Sequence, residues 1–470
     1  MGAGAGRGLF GVDVAVANWT EAGLYRNVDI GSGTFFPTYV TRSFFGPFSV
    51  AAEVRASVLV PRVLSAREFR ERLRRSCDIC ILLAKGNTPM GLSESIWTNP
   101  TEYLRTQQPE NPVLFFAPTA IQAVARRFLD GFPGLVTYAV KSNPGEEVVE
   151  NLIAAGVKGF DCASPFEIDL IRRLAPDAAV HYNNPVRSRA EIAHSVARKV
   201  KSYSVDSHSE LAKLIEMVST ENCEITVRFK LPVAGAAYNF GAKFGATEDV
   251  AVELLKTVAA AGFIPSITFH PGTQCTDPAA WASYIREAAI IAQKAGVKIA
   301  RLNVGGGFPS HRAEGVTPQL EATFAAIDRV ATEAFGADRP VLICEPGRAM
   351  CGDAFTLAAR VKSVRDDMHV FLNDGIYGSL FEMGQIGIID RIEVLSAQGV
   401  RRSGAILPRI CFGPTCDSLD RLPGDMPFPS DIAEGDFVIV HGMGAYSNVL
   451  NSRFNGFGEL GMVTVLSLKD

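Results

Sequence analysis

The sequence predicts an α/β protein in which a (β/α)8 barrel of parallel strands is followed by an antiparallel β-barrel or sandwich domain. Three observations predict it. From about residue 112, short apolar runs rich in β-branched residues alternate with amphipathic helical stretches, the beat of a β/α repeat. The residues capable of chemistry collect where those apolar runs end, as they do at the C-terminal face of a barrel. After Arg348 the alternation stops, and Gly, Pro and β-branched runs replace it.

Taken in order, the expected strands are Val113–Ala117, Val136–Ser142, Gly159–Ala163, Ala179–Asn183, Ser202–Asp206, Ile225–Lys230, Ile267–His270, Arg301–Val304 and Val341–Glu345. The last eight suffice to close a barrel, and the first goes elsewhere. Between them, Glu147–Ala155, Pro165–Leu174 and Ala280–Ala295 repeat apolar residues at three and four, which makes one helical face apolar. Phe437–His441 and Met462–Leu468 read as strands of the second domain. The expected organisation is a barrel over 119–350 and a β domain over 351–470, joined by the strand near 112–118.

Residues 1–89 differ in kind. They hold 11 Lys+Arg against 7 Asp+Glu, a surplus of four, so the remainder carries −8 of the whole chain's −4. No periodic face appears there except Ser65–Arg75, where Glu68 and Glu71 precede Arg72 and Arg75 by four residues, as in a helix. These residues form an atypical N-terminal extension. Either it is native, or Met90, which opens the enzyme-like part, is the biological start.

A pI near 6.1 and a net charge of −4 offer no clustered cationic excess for nucleic acid or anionic lipid. No window approaches the ~18 uninterrupted apolar residues of a membrane span. Nine cysteines, an odd number in scattered apolar contexts, fit a reducing cytoplasm. Cys77 and Cys80 form one C-x-x-C with no second pair or histidine to complete a zinc site, so no metal is expected. A small molecule is the expected partner.

The chemistry falls at strand ends. Lys141 follows the apolar run Val136–Val140, where a desolvated ammonium has a lowered pKa and becomes a Schiff-base nucleophile. A strand-end lysine that merely reaches solvent has the same local sequence. Gly305-Gly306-Gly307 exposes backbone N–H groups to which a phosphate can come close without Cβ interference, although a triple glycine also serves as a plain turn. Glu345 and Arg348 flank a Pro-Gly turn and bring opposite charges to the same mouth, as a site or as a structural ion pair.

The ordered set Tyr138-Ala-Val-Lys141-Ser-Asn143, Gly159-Phe-Asp161-Cys-Ala-Ser164, Phe269-His270-Pro-Gly272, Gly305-Gly-Gly-Phe-Pro309, Glu345-Pro346-Gly347-Arg348, Asn373-Asp-Gly-Ile-Tyr377-Gly-Ser379, Gly413-Pro-Thr-Cys416-Asp417 and Met443-Gly-Ala-Tyr446 resembles the eukaryotic-type ornithine decarboxylases, within the alanine-racemase-like fold group. The resemblance runs from about residue 112 to the end. It implies a pyridoxal 5'-phosphate-binding barrel, a basic amino acid substrate, and a homodimer whose two active sites are shared between chains. Lys141 would hold the cofactor covalently and His270 would stack on its ring. Gly307, Arg348, Thr273 and Tyr446 would hold the phosphate, and Gly306, Pro346 and Gly347 would also contact the cofactor. Glu345 would meet the pyridine nitrogen, and Asp161 and Glu167 would support it. Cys416 would protonate the product carbon, Asp417 and Tyr377 would bind substrate, and Lys243 would pair with Asp420 across the dimer.

A carboxylate at the ring nitrogen favours the electron-sink form of the cofactor. The sequence departs from the family's pattern in one place. Where a Tyr-Asp pair follows the Tyr-Gly-Ser strand in the family, this chain has Leu380-Phe-Glu382-Met-Gly-Gln385-Ile-Gly387. Either Glu382 or Gln385 stands in, or the pocket takes lysine or arginine, or Asp417 holds the amine alone. Ornithine ranks first, lysine or arginine second and diaminopimelate behind. Relatives that have lost catalysis and act as regulators form the contrasting class.

Overall fold

The computed structural model describes residues 96–231, 242–312, 317–386 and 391–469. The expectations for Ser65–Arg75 and for a start at Met90 lie outside these residues.

The chain enters through the helix Pro100–Gln107, whose first turn is closed by Asn99 accepting from the Glu102 N–H. Strand β1 (Val113–Phe116) follows. Its unbroken apolar run has a physical cause, since Val113 and Phe115 pack into one core while Leu114 and Phe116 pack into another. A strand buried on both faces shows no alternation.

Eight parallel strands then close a barrel: β2 (Gly134–Ala139), β3 (Gly159–Cys162), β4 (Ala179–Tyr182), β5 (Ser202–Val205), β6 (Glu224–Arg228), β7 (Ile264–Thr268), β8 (Arg301–Asn303) and β9 (Val341–Cys344). β2 pairs with β9 to shut the ring. Helices between them start at residues suited to it. Ser164, Ser188 and Ser207 each accept the N–H three residues on, and Pro118, Pro165 and Pro278 stand in the first turn. The expected strands ran one to three residues too far at their C-terminal ends, because the chain turns out of the sheet where the chemistry begins. Val140–Ser142, for example, is a 3-10 turn.

The second domain has β10 (Phe355–Arg365), β11 (His369–Leu372), β12 (Ile392–Leu395), β13 (Ile406–Phe412), β14 (Met426–Pro429), β15 (Phe437–His441) and β16 (Gly461–Thr464). They form the order β12-β15-β10-β11-β13-β14, with β1 joining β10 to β16. The sheet is mixed rather than purely antiparallel, since β11–β13 and β1–β16 are parallel. β14, with Pro427 and Pro429, sits at the edge, where missing N–H groups do no harm. β1 therefore belongs to the second sheet although it precedes the barrel, as expected of the strand that goes elsewhere. Phe116 stacks on Phe355 at 4.6 Å, tying this sheet to the barrel's core. Among the described residues no helix is long and apolar enough to cross a membrane.

Candidate active site

The C-terminal ends of the barrel strands surround a cavity of about 410 Å³. Lys141 enters it from the turn after β2. That turn is held from within and from the other domain. Ser142 Oγ donates to the Ala139 carbonyl at 2.8 Å, and the Tyr446 N–H donates to the Ser142 carbonyl at 2.7 Å. Asn143 Nδ2 reaches the Gly444 carbonyl at 2.9 Å. The loop that carries Tyr446 is thus fastened to the loop that carries Lys141, with Tyr446 held at φ +64°.

Lys141 Nζ lies 3.8 Å from Asp161 Oδ2. Its side chain is 46% exposed, but to a cavity walled by protein. Burial pulls its pKa down, and Asp161, Tyr446 and Glu345 together outweigh this, so the net shift is upward. The expectation of a lowered pKa is therefore corrected: desolvation acts as anticipated, but the surrounding acids were not weighed against it.

Glu345, just past β9, is buried, and its Oε1 accepts from both Asn183 and Asn303. Burial first, and then Asp161, push its carboxyl up to about 8, against the opposite pull of Lys141. Glu167, whose Oε2 accepts from the Ala163 N–H at 2.7 Å, is pushed to about 7 by burial and by Asp161. Three acids share this corner with one ammonium.

His270 receives the Gly272 N–H at Nδ1, 3.1 Å away, which assigns its own proton to Nε2. Burial, then Lys141 and Arg228, hold its pKa well below the usual value, so the ring is neutral at pH 7. The glycine run beside it is required. A Cβ on Gly306 would fall 2.6 Å from the Glu345 carbonyl oxygen, and one on Gly307, at φ +84°, would fall 2.1 Å from the Gly272 carbonyl oxygen.

Arg348 is buried and lies 5.0 Å from the centre of the Tyr446 ring. It does not pair with Glu345. Its guanidinium grips Glu382 with both Nη atoms, because Glu345 is taken by the asparagines and Glu382 arrives from the helix Phe381–Ile386. Its Nε is buried without a partner. A glycine cradle, a buried guanidinium with an unsatisfied N–H, Thr273, the Tyr446 ring and Lys141 lining one cavity suit a phosphorylated aldehyde. Pro346 and Gly347 complete this wall, and a Cβ on Gly347 would meet the Ser142 Cβ at 3.0 Å.

Tyr377, Cys416 and Asp417 are brought together but not to this cavity. Tyr377 Oη donates to Asp417 Oδ2 at 2.6 Å, and the Cys416 N–H donates to Asn455 Oδ1 at 3.1 Å. The Cys416 side chain is exposed. Asp420, expected to meet Lys243 across a dimer, is instead buried in its own chain, accepting from the Ile376 N–H and from the Thr415 N–H and hydroxyl. Asn183, Asn303, Arg228 and Phe244 were not anticipated. The first three stand at strand ends, so the rule that found Glu345 would have found them.

A lysine, a glycine cradle and a buried guanidinium thus line one cavity at the C-terminal face of the barrel. Residues 119–352 match the family described as pyridoxal-dependent decarboxylase, pyridoxal binding domain. Ornithine decarboxylase of Mus musculus is 29% identical over 369 residues, 73% of this chain and 77% of that protein. Lysine/ornithine decarboxylase of Selenomonas ruminantium is 31% identical over 341 residues, 68% and 81% respectively. The crystal structure of lysine/ornithine decarboxylase from Vibrio vulnificus complexed with putrescine matches with a TM-score of 0.65 at 25% identity, covering 78% of this chain and 99% of that one. The chain belongs to the family of pyridoxal-phosphate-dependent decarboxylases of basic amino acids.

Proposed function

We propose that this chain decarboxylates ornithine to putrescine with pyridoxal phosphate bound through Lys141. The observation that carries the reading is the single cavity that joins Lys141, His270 and Glu345 to Gly306, Gly307, Thr273, Arg348 and Tyr446. When bound, the cofactor supplies an electron sink for the carbanion left by loss of CO2. The residues do the rest. Glu345, its carboxyl raised to about 8 by burial and then by Asp161, would hold a proton at the cofactor's ring nitrogen. Neutral His270 would face the bound ring without adding a charge to it.

Cys416 and Asp417 act in the active site of a second protomer, Cys416 returning a proton to the product carbon and Asp417, with Tyr377, binding the distal ammonium. Their absence from their own chain's cavity supports this reading. The seven free cysteines among the described residues, six of them buried, agree with a cytoplasmic enzyme. Lysine or arginine is the second reading, favoured by one feature. Gln385 and Ile386 line the cavity in the stretch where the family carries an acid, and Glu382 beside them is taken by Arg348.

The test is CO2 release from ornithine, lysine, arginine, diaminobutyrate and diaminopimelate with added cofactor. Ornithine should be turned over fastest. A chain that holds cofactor on Lys141 and releases CO2 from none of them is the non-catalytic relative, and the proposal fails.

A further inference from the structure

Arg348 lies at the phosphate end of the cavity, 8% exposed, and the partner it grips there is a carboxylate of its own chain. Nη2 meets Glu382 Oε1 at 2.5 Å, and Nη1 meets Oε2. The Glu382 side chain is 13% exposed, so water screens the pair little. Arg312 adds a second, largely buried cation, whose pKa is pushed down to about 10 by burial and then by Arg348. Glu382 therefore answers a need, because a desolvated guanidinium without an anion is costly.

A phosphate monoester dianion makes the same bidentate contact. Arg348 Nε is left without a partner, and a phosphate bound there would lie close to the Glu382 carboxylate, where two anions repel strongly in a site of low dielectric. We infer that Glu382 is an internal competitor for the cofactor's phosphate: loading exchanges carboxylate for phosphate on Arg348 and displaces the helix Phe381–Ile386. The helix suits that part. It is six residues long, and its buried residue is Met383. It also places Gln385 and Ile386 in the cavity wall, so the exchange that admits the cofactor reshapes the substrate end as well. The inference rests on the reading that pyridoxal phosphate binds here through Lys141.

Titrating the full-length protein with pyridoxal phosphate and with pyridoxal, which lacks the phosphate, tests it. Glu382→Gln keeps the shape and a hydrogen bond but removes the charge. It should bind pyridoxal phosphate about tenfold more tightly and leave pyridoxal affinity unchanged. An unchanged or weaker affinity for pyridoxal phosphate, or an equal gain for both aldehydes, overturns the inference. Hydrogen exchange on the wild-type chain gives a second readout that needs no variant. Residues 381–386 should exchange faster with pyridoxal phosphate and not with pyridoxal; no change, or protection, refutes the displacement. Borohydride fixation separates the two levels. If neither aldehyde adds its mass to Lys141, the cofactor reading itself has failed; if both do and Glu382→Gln changes nothing, only the competition has.

Discussion

A carboxyl group raised to about 8 in the folded protein binds a proton that the unfolded chain, near 4.5, has already released. Glu345 is such a group, and Glu167, raised to about 7, is another. Between pH 4.5 and 8 these two groups therefore hold more protons in the native state than in the unfolded one, and their contribution to stability falls as pH rises through that window. Glu345→Gln cannot ionise. Its cofactor-free melting temperature should decline less than wild type between pH 5 and 8, and a parallel decline would show that Glu345 does not carry the effect. Lys141→Ala should lose CO2 release altogether and retain no aldehyde after borohydride. Cys416→Ala should fold normally, its side chain being exposed, and slow turnover by about 10²-fold or more, the scale of a lost general acid.

At the scale of elements, function depends on how strands end. The barrel strands stop where the backbone must turn sharply, and the turn after β8 works only with glycine. Gly307→Ala would meet both a positive φ and the Gly272 carbonyl, which costs about 2 kcal/mol or more. Denaturant midpoints would register the loss, and pyridoxal phosphate affinity should fall more than pyridoxal affinity. Helix starts matter in the same way. Ser164 caps the helix that carries Glu167, so Ser164→Ala should cost about 1 kcal/mol. Strand ends were also where the sequence was read least well. Val136–Ser142 looks uniformly strand-like, yet Ser142 bonds back to Ala139, and that local competition with the ladder ends the strand.

At the scale of the whole molecule, the proposed homodimer makes a prediction that no single-chain property can. Lys141→Ala and Cys416→Ala inactivate different chains' contributions, so mixed dimers would contain one intact site out of two. Random mixing should restore about a quarter of wild-type activity. No recovery in heterodimers shown to form would count against sites shared between chains.

The β/α alternation, the barrel of eight strands with one strand apart, and the ordered set from Lys141 to Tyr446 were all legible in the sequence, because periodicity and turn chemistry are local and each motif lies at a strand end. What lies opposite a residue is not local. Burial sets the charge state of Glu345, and Asp161, Tyr446 and Glu345 outweigh the desolvation of Lys141. Arg348 holds Glu382 rather than Glu345, 34 residues away in the chain. Such pairings depend on which side chains the closed barrel and the second sheet bring within a few ångströms of one another, and only the folded chain decides that.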